Sequence, residues 1–401
     1  MNPQLKLAAA LLLATLNPQL STCFAQGSLT PPGAPAPTMK TLAQIEPRTP
    51  VSSAPYTISA PGSYYLTTNL TVATGDAITI ATNGVTLDLS GFTISSTAAS
   101  ATGTGIMLSS GWSDVTICNG HIRGGVTNNG SGVYSGSGFA YGIYYSGNAP
   151  ANVLVSRVSV SGCRFQGINL YAFNSTAVES CTVRTVGGYG IMAASIKGSV
   201  ALDCGSAAIY GSQVADSRGT CTGSDYGLYA YVAQNCVGGS SSGEGLHAAY
   251  TAQNCYGYST SGNGLYAATA QSCYGQSSSG TGLYAGYTAL NCWGYSSTGY
   301  GLSAQTAQDC YGQSDGNGNG LTAEIANNCH GESGGTGPGL YTYKLATGCV
   351  GSSVSGTGLM TDNASFCVGY RPGGTAIDAA VATGCHAVFG TNHINFKYNM
   401  P

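Results

Sequence analysis

Between residues 256 and 332, aromatic and amide side chains recur in pairs, one and three places after a cysteine. They are Tyr256 and Tyr258, Tyr274 and Gln276, Trp293 and Tyr295, Tyr311 and Gln313, then His330 and Glu332. Flat rings at regular spacing stack well on sugar rings, and Gln, His and Glu bond hydroxyls, which is the chemistry of polysaccharide recognition. The same pattern has a plainer reading, because tyrosine suits strands and neighbouring rings stabilise one another across a sheet. Candidates for acid–base chemistry are sparser: His121 and, in the charge-rich stretch 157–225, Arg164, Arg184 and Asp203. That stretch shows no carboxylate pair suited to glycoside hydrolysis and no oxygen cage for calcium. There is no C-x-x-C, so no metal site is expected, and no cofactor either. The G-x-S-x-G match at Gly331–Gly335 lies in a repeat turn with no helix to follow, and the G-x-G runs are turns as well.

Such pairs need a scaffold that repeats. Gly-Leu and Gly-Ile steps place an inward-pointing residue at Ile78, Ile106, Ile143, Ile168, Ile191, Ile209, Leu228, Leu246, Leu265, Leu283, Leu302, Leu321, Leu340, Leu359 and Ile377. The spacing falls from 28 and 37 residues to a steady 18 or 19, which marks a solenoid. Strand residues dominate and no helical stripe appears, so the fold class is all-β. Within one period Leu265, Ala267, Ala270, Cys273, Gly275 and Ser277 point inward, while Tyr266, Gln271, Tyr274 and Gln276 point outward. Cys273 falls three places after Ala270, which breaks the period of two and requires a corner. The residue before the cysteine supplies it, and Asp203, Asn235, Asn254, Asn291, Asp309 and Asn328 recur there, the side chains that best tolerate a left-handed turn. A second outward column, Tyr229, His247, Tyr266 and Tyr284, lapses to Ser303 and Thr322.

The stretch PGSYYLTTNLTV with DAITIATNGVTLDLSGFTIS, followed by DVTICNGHIRG and the Gly-Ile coils, resembles secreted bacterial proteins of the right-handed parallel β-helix, pectin-lyase-like class. The resemblance implies one right-handed parallel β-helix; the Gly-Leu and Gly-Ile steps count about 15 coils, which stacked about 4.8 Å apart make a rod roughly 70 Å long. Members of this class often cleave polysaccharides, which implies a lyase or hydrolase as one reading. The Asn-x-Asp, Asp-Asp, Gly-His-Gly and Arg-x-Lys motifs of its polygalacturonase-like members are absent here, and His121 lies in a strand-and-turn element instead.

Residues 1–25 read as a secretory signal, with Cys23 as a lipid-anchor alternative, and 26–54 as a Pro-rich leader. The β-helix with its N-terminal cap then runs over 55–390, and 391–401 closes it. No stretch is long and apolar enough for a transmembrane helix. With 12 basic and 15 acidic residues and only 7% charged, the chain offers no electrostatic footprint for nucleic acid or an anionic membrane. Cysteines recur once per coil from Cys236 to Cys385, with Cys163, Cys181, Cys204 and Cys221 leading in. Stacked Cβ atoms stand too far apart for a relaxed disulfide, so these read as buried thiols filling space. The expected function is a secreted or cell-surface, noncatalytic protein touching polysaccharide through its aromatic ribbon. The alternatives are a polysaccharide lyase or hydrolase, and a purely structural rod or adhesin.

Overall fold

The computed structural model describes residues 46–399. The signal segment, Cys23, most of the leader and the last two residues lie outside the described residues. Among the described residues, strands account for all the regular structure, and no helix is long and apolar enough to cross a membrane. Apart from one antiparallel hairpin the strands belong to a single parallel-paired system, an all-β parallel solenoid of the β-helix class.

The inward residues read from the Gly-Leu and Gly-Ile steps form one unbroken column. Ile78 pairs with Ile106, that with Ile143, and so on coil by coil to Leu359 and Ile377. The column extends one rung further at each end, to Tyr56 and Asn392, and Thr49–Val51 adds a strand before the first of these. The solenoid therefore has about 18 turns rather than about 15. The expectation was low because the terminal rungs carry Tyr and Asn where the others carry Leu or Ile, and so lack the signature. Residues Thr391–Tyr398, expected to close the last coil, form a strand paired with Thr375–Thr383.

Each coil has three faces, and their inner side chains shrink along the chain. The first keeps Ile or Leu from Ile78 to Ile377. On the second, Leu87, Ile117, Val155, Val178, Ile196 and Val214 give way to Ala233, Ala252 and Ala270. On the third, Ile122, Val160 and Val183 give way to Ala201, then to Gly219, Gly238, Gly257 and Gly275. Shortening the coil brings the faces together, and native packing density is kept only if the filling shrinks with it. At Gly275 the backbones touch: a Cβ there would stand 2.2 Å from the carbonyl oxygen of Gly282. The buried serine two places on closes the turn, since the Ser277 hydroxyl donates to Gly262 O at 2.7 Å and accepts from Gly280 N at 2.9 Å. Ser259 and Ser296 repeat both bonds, which satisfies backbone groups that the Gly-rich turn otherwise leaves unpaired.

The corner before each ladder cysteine is left-handed, with φ of 54° at Asn235, 52° at Asn254 and Asn291, 52° at Asp309 and 50° at Asn328. Asp203 also has positive φ, 55°, but at a different corner. Register places the following Cys204 against Val186 and Cys221, and Cys221 against Ser240, which is the slot Ser277 fills. Asp203 thus marks a bulge, where the register shifts between Ala201 and Cys204. Of the four leading cysteines only Cys181 stands in the ladder slot, and Ser199 and Ser217 follow it there before the unbroken run begins at Cys236. Cysteine fits either inward slot on size, so the two columns look alike in the sequence.

Candidate functional site: a groove along the ring column

The alternation that buries Cys273 and Gly275 turns Tyr274 outward, and the left-handed corner turns the residue before the cysteine outward as well. Repeated over six coils, this builds a groove of about 790 Å³ parallel to the solenoid axis. One wall is Asn235, Asn254, Ser272, Asn291, Asp309 and Asn328. The other is Val237, Tyr256, Tyr274, Trp293, Tyr311 and His330. The cysteines between the walls, Cys236, Cys255, Cys273, Cys292 and Cys310, form the floor. Five rung spacings give it a length of roughly 24 Å.

The rings in the second wall stack on each other. Tyr256 and Tyr274 are 5.1 Å apart and nearly parallel at 6°. The tilt grows to 33° between Tyr274 and Trp293, 62° between Trp293 and Tyr311, and 77° between Tyr311 and His330. Where rings lie parallel along the axis, each covers its neighbour's face and offers solvent only an edge. At Trp293 the stack opens, and this ring is 45% exposed. The next outward row, Tyr258, Gln276, Tyr295, Gln313 and Glu332, is knitted to it. Tyr256 donates its hydroxyl to Gln276 Oε1 at 2.9 Å, and Tyr311 to Glu332 Oε2 at 2.7 Å. Tyr295 donates to Asp315 at 2.7 Å, Gln313 Nε2 donates to the same carboxylate at 2.8 Å, and His330 Nε2 lies 3.1 Å from Glu332. Burial, and then the Glu332 carboxylate beside it, hold the Tyr311 phenol well above its usual range. Tyr258 leans over the space that Gly239 leaves open.

The floor thiols donate to backbone carbonyls, Cys273 to Gln271 O at 3.2 Å and to Ala252 O at 3.3 Å. Off the ladder, burial alone pushes Cys163 up to about 12, which makes it an inert filler.

The other residues singled out from the sequence are not brought together. His121 stands in the same outward row as the rings, paired through Ser159, Thr182, Val200 and Arg218 to Val237, far along the axis from Tyr256. Arg184 faces outward in the row of Arg123 and Ser161. Arg164 does not share that strip: it follows Cys163 around the next corner, beside Gly187 and over the Phe165 ring at 5.3 Å. Asp203 is occupied structurally. Its Oδ1 accepts from Asn128 Nδ2 at 2.6 Å and from the Tyr134 hydroxyl at 2.8 Å, and Tyr134 also meets Thr222 Oγ1 at 2.8 Å. Asn128 and Tyr134 belong to the hairpin Gly125–Asn128 and Tyr134–Ser137, which lies back over these coils. Burial, more than Asp203, raises the Tyr134 phenol. Asp203→Ala is expected to cost about 1–3 kcal/mol in hairpin docking, since both bonds end on a charged group. Hydrogen exchange checks it: residues 125–137 lose protection while 256–332 keep theirs, and unchanged protection at the hairpin removes Asp203 as its anchor. No group of three or more His, Cys, Asp or Glu arranged to hold a metal occurs among the described residues.

The second outward column is a longer and more regular stack than the sequence suggested. It begins at Tyr210, 4.5 Å and 8° from Tyr229, and continues through His247 and Tyr266 to Tyr284 with tilts of 9° to 17°. His247 is held there by Glu244 at 2.5 Å. The role of the corner residues as a groove wall escaped sequence reading, although their recurrence was visible.

No protein-family model matches the chain, and no curated protein matches it in sequence. Among solved structures it is similar to the A-module of a mannuronan C-5 epimerase from Azotobacter vinelandii, at 12% identity over 85% of this chain and 91% of that one. The TM-score is 0.25, so neither fold nor function is inferred from this likeness.

Proposed function

We propose that the chain is a noncatalytic surface or matrix protein whose groove holds an extended, uncharged polysaccharide along the solenoid axis. The observation that carries this reading is the pairing of two unlike walls in one groove, carboxamides opposite rings, repeated at a constant rise. Carboxamides donate to and accept from hydroxyls, and a ring face covers the apolar face of a sugar. No Lys or Arg lines the groove, and Asp309 is its one carboxylate, which favours a neutral glycan over a uronate. Export is in keeping with the signal-like residues 1–25 and with the resemblance to pectin-lyase-like secreted proteins.

Electrophoresis through gels containing plant, algal and bacterial polysaccharides tests it. One neutral glycan is expected to retard the protein, and a Trp293→Ala, Tyr274→Ala variant is expected to lose most of that retardation. Asn254→Gly with Asn291→Gly removes the opposite wall while allowing the left-handed corner, and is expected to weaken binding as well. No retardation on any gel sinks the reading. A purely structural rod is then the better account, and one observation already favours it: Tyr256 and Tyr274 cover each other's faces, and the Tyr256 and Tyr311 hydroxyls are spent on Gln276 and Glu332. A lyase or hydrolase is less well supported, because His121, Arg164, Arg184 and Asp203 do not converge.

A further inference from the structure

Nine consecutive coils put one cysteine each in the same inward slot, from Cys236 through Cys273, Cys292 and Cys310 to Cys385. The backbone fixes the stacking: the N–H after each cysteine donates to the carbonyl of the cysteine one coil earlier, as Tyr274 N does to Cys255 O and Trp293 N to Cys273 O, both at 2.9 Å. All the cysteines among the described residues are free thiols. Cys255, Cys273, Cys292 and Cys310 are each 3% exposed along the floor of the groove. No Lys or Arg lines that groove to neutralise a thiolate, whereas backbone carbonyls, corner carboxamides and Asp309 all favour a positive charge.

Spacing selects the kind of cation. Adjacent rungs stand about 4.8 Å apart, and two metal–sulfur bonds of about 2.3 Å laid end to end span about 4.6 Å. A single column cannot surround an ion with four sulfurs, but it offers two in line, one from the coil below and one from the coil above. Soft monovalent d10 ions accept that linear pair and prefer thiolate to oxygen or nitrogen. We propose that the column Cys236–Cys385 binds Cu(I) or Ag(I), each ion held between the sulfurs of adjacent coils. Each ion that enters displaces one thiol proton to solvent. Ions occupy alternate gaps, so each pair of sulfurs holds one ion between a thiolate and a remaining thiol, and each pair is neutral, as a low-dielectric interior requires. No oxidant is needed. A disulfide fits less well, because parallel Cβ atoms about one rung apart exceed the usual 3.8 Å or so.

The test is anaerobic titration of the reduced full chain with Cu(I) against the competing chelator bicinchoninate, beside Cys255→Ser, Cys273→Ser, Cys292→Ser, Cys310→Ser. Serine already stands in this column at Ser199 and Ser217, so the variant is expected to fold. The parent is expected to take several Cu(I) from the chelator with its β-sheet circular dichroism unchanged. Of the column the variant keeps Cys236 alone and the four-sulfur run from Cys329 to Cys385, so uptake by the column is expected to fall about two-fold, from four pairs to two, over a background that the Cys204–Cys221 pair adds equally to both proteins. The proposal is overturned if the parent takes no Cu(I), if the variant takes as much, or if uptake proceeds only as the sheet signal is lost. Should the variant not fold, X-ray absorption on the loaded parent decides: two sulfurs per copper supports the column, and three or four overturns it. Glycan binding enters none of these readouts.

Discussion

Gly275→Ala is expected to destabilise its coils by about 3 kcal/mol or more, the upper end of what overpacking costs. The added Cβ would stand 2.2 Å from Gly282 O and 2.7 Å from Gly282 C, with Leu283 Cα at 2.9 Å. All three are backbone atoms of the next Gly-Leu step, and that step is pinned by the bond from Gly282 N to Tyr300 O at 2.9 Å. A flexible side chain would swing aside, but a laddered backbone cannot. Energetics in a solenoid are close to nearest-neighbour, so the damage is expected to be local. Hydrogen exchange is expected to rise around residues 262–283 before the ends respond. Gly286→Ala is the matched control, since its nearest neighbour would be Ala268 Cα at an ordinary 3.7 Å. That change is expected to be neutral, or stabilising by up to about 1 kcal/mol through the unfolded chain. Equal melting of the two variants would show that the third face is not in backbone contact.

Leu265→Ala is expected to cost about 2–5 kcal/mol, whereas Tyr266→Ala, one residue on, is expected to cost about 0.5–1.5 kcal/mol. Leu265 is fully buried between Leu246 and Leu283, and the surrounding inner residues are Ala, Gly, Cys and Ser. Truncating it removes the one large filler of that coil. Rungs held by ladder hydrogen bonds cannot close the void, so both the transfer and cavity costs apply. Tyr266 faces outward, and its loss removes ring contacts with His247 and Tyr284 without opening the core. Urea or thermal melting of the two variants tests the difference. If Tyr266→Ala proves as damaging as Leu265→Ala, the outer stack and not the Leu column holds the solenoid together.

Period and residue size made the core legible before any coordinates. The fifteen positions from Ile78 to Ile377 fall in one column, because one inward slot keeps Leu or Ile in each of these coils while the other two faces shrink to Ala and Gly. The corners at Asn235, Asn254, Asn291, Asp309 and Asn328 were equally plain, since few side chains accept positive φ. The terminal rungs at Tyr56 and Asn392 were not, because pairing there is set by the neighbouring strand and not by a local signature.

What the chain's residues determined alone was therefore the solenoid, its repeat and which way most side chains face. All three follow from local alternation and volume, which any eighteen-residue stretch of the repeat displays. Only the tertiary structure decided which cysteines share a column, that the hairpin around Tyr134 reaches Asp203, and that the rings between Tyr256 and Tyr274 cover one another's faces. Those depend on register between coils and on contacts 69 residues apart in the Tyr134–Asp203 case, and no local pattern encodes either. The groove belongs to the same class. Its walls come from adjacent positions in every coil, but they oppose each other only because a left-handed corner folds one against the other.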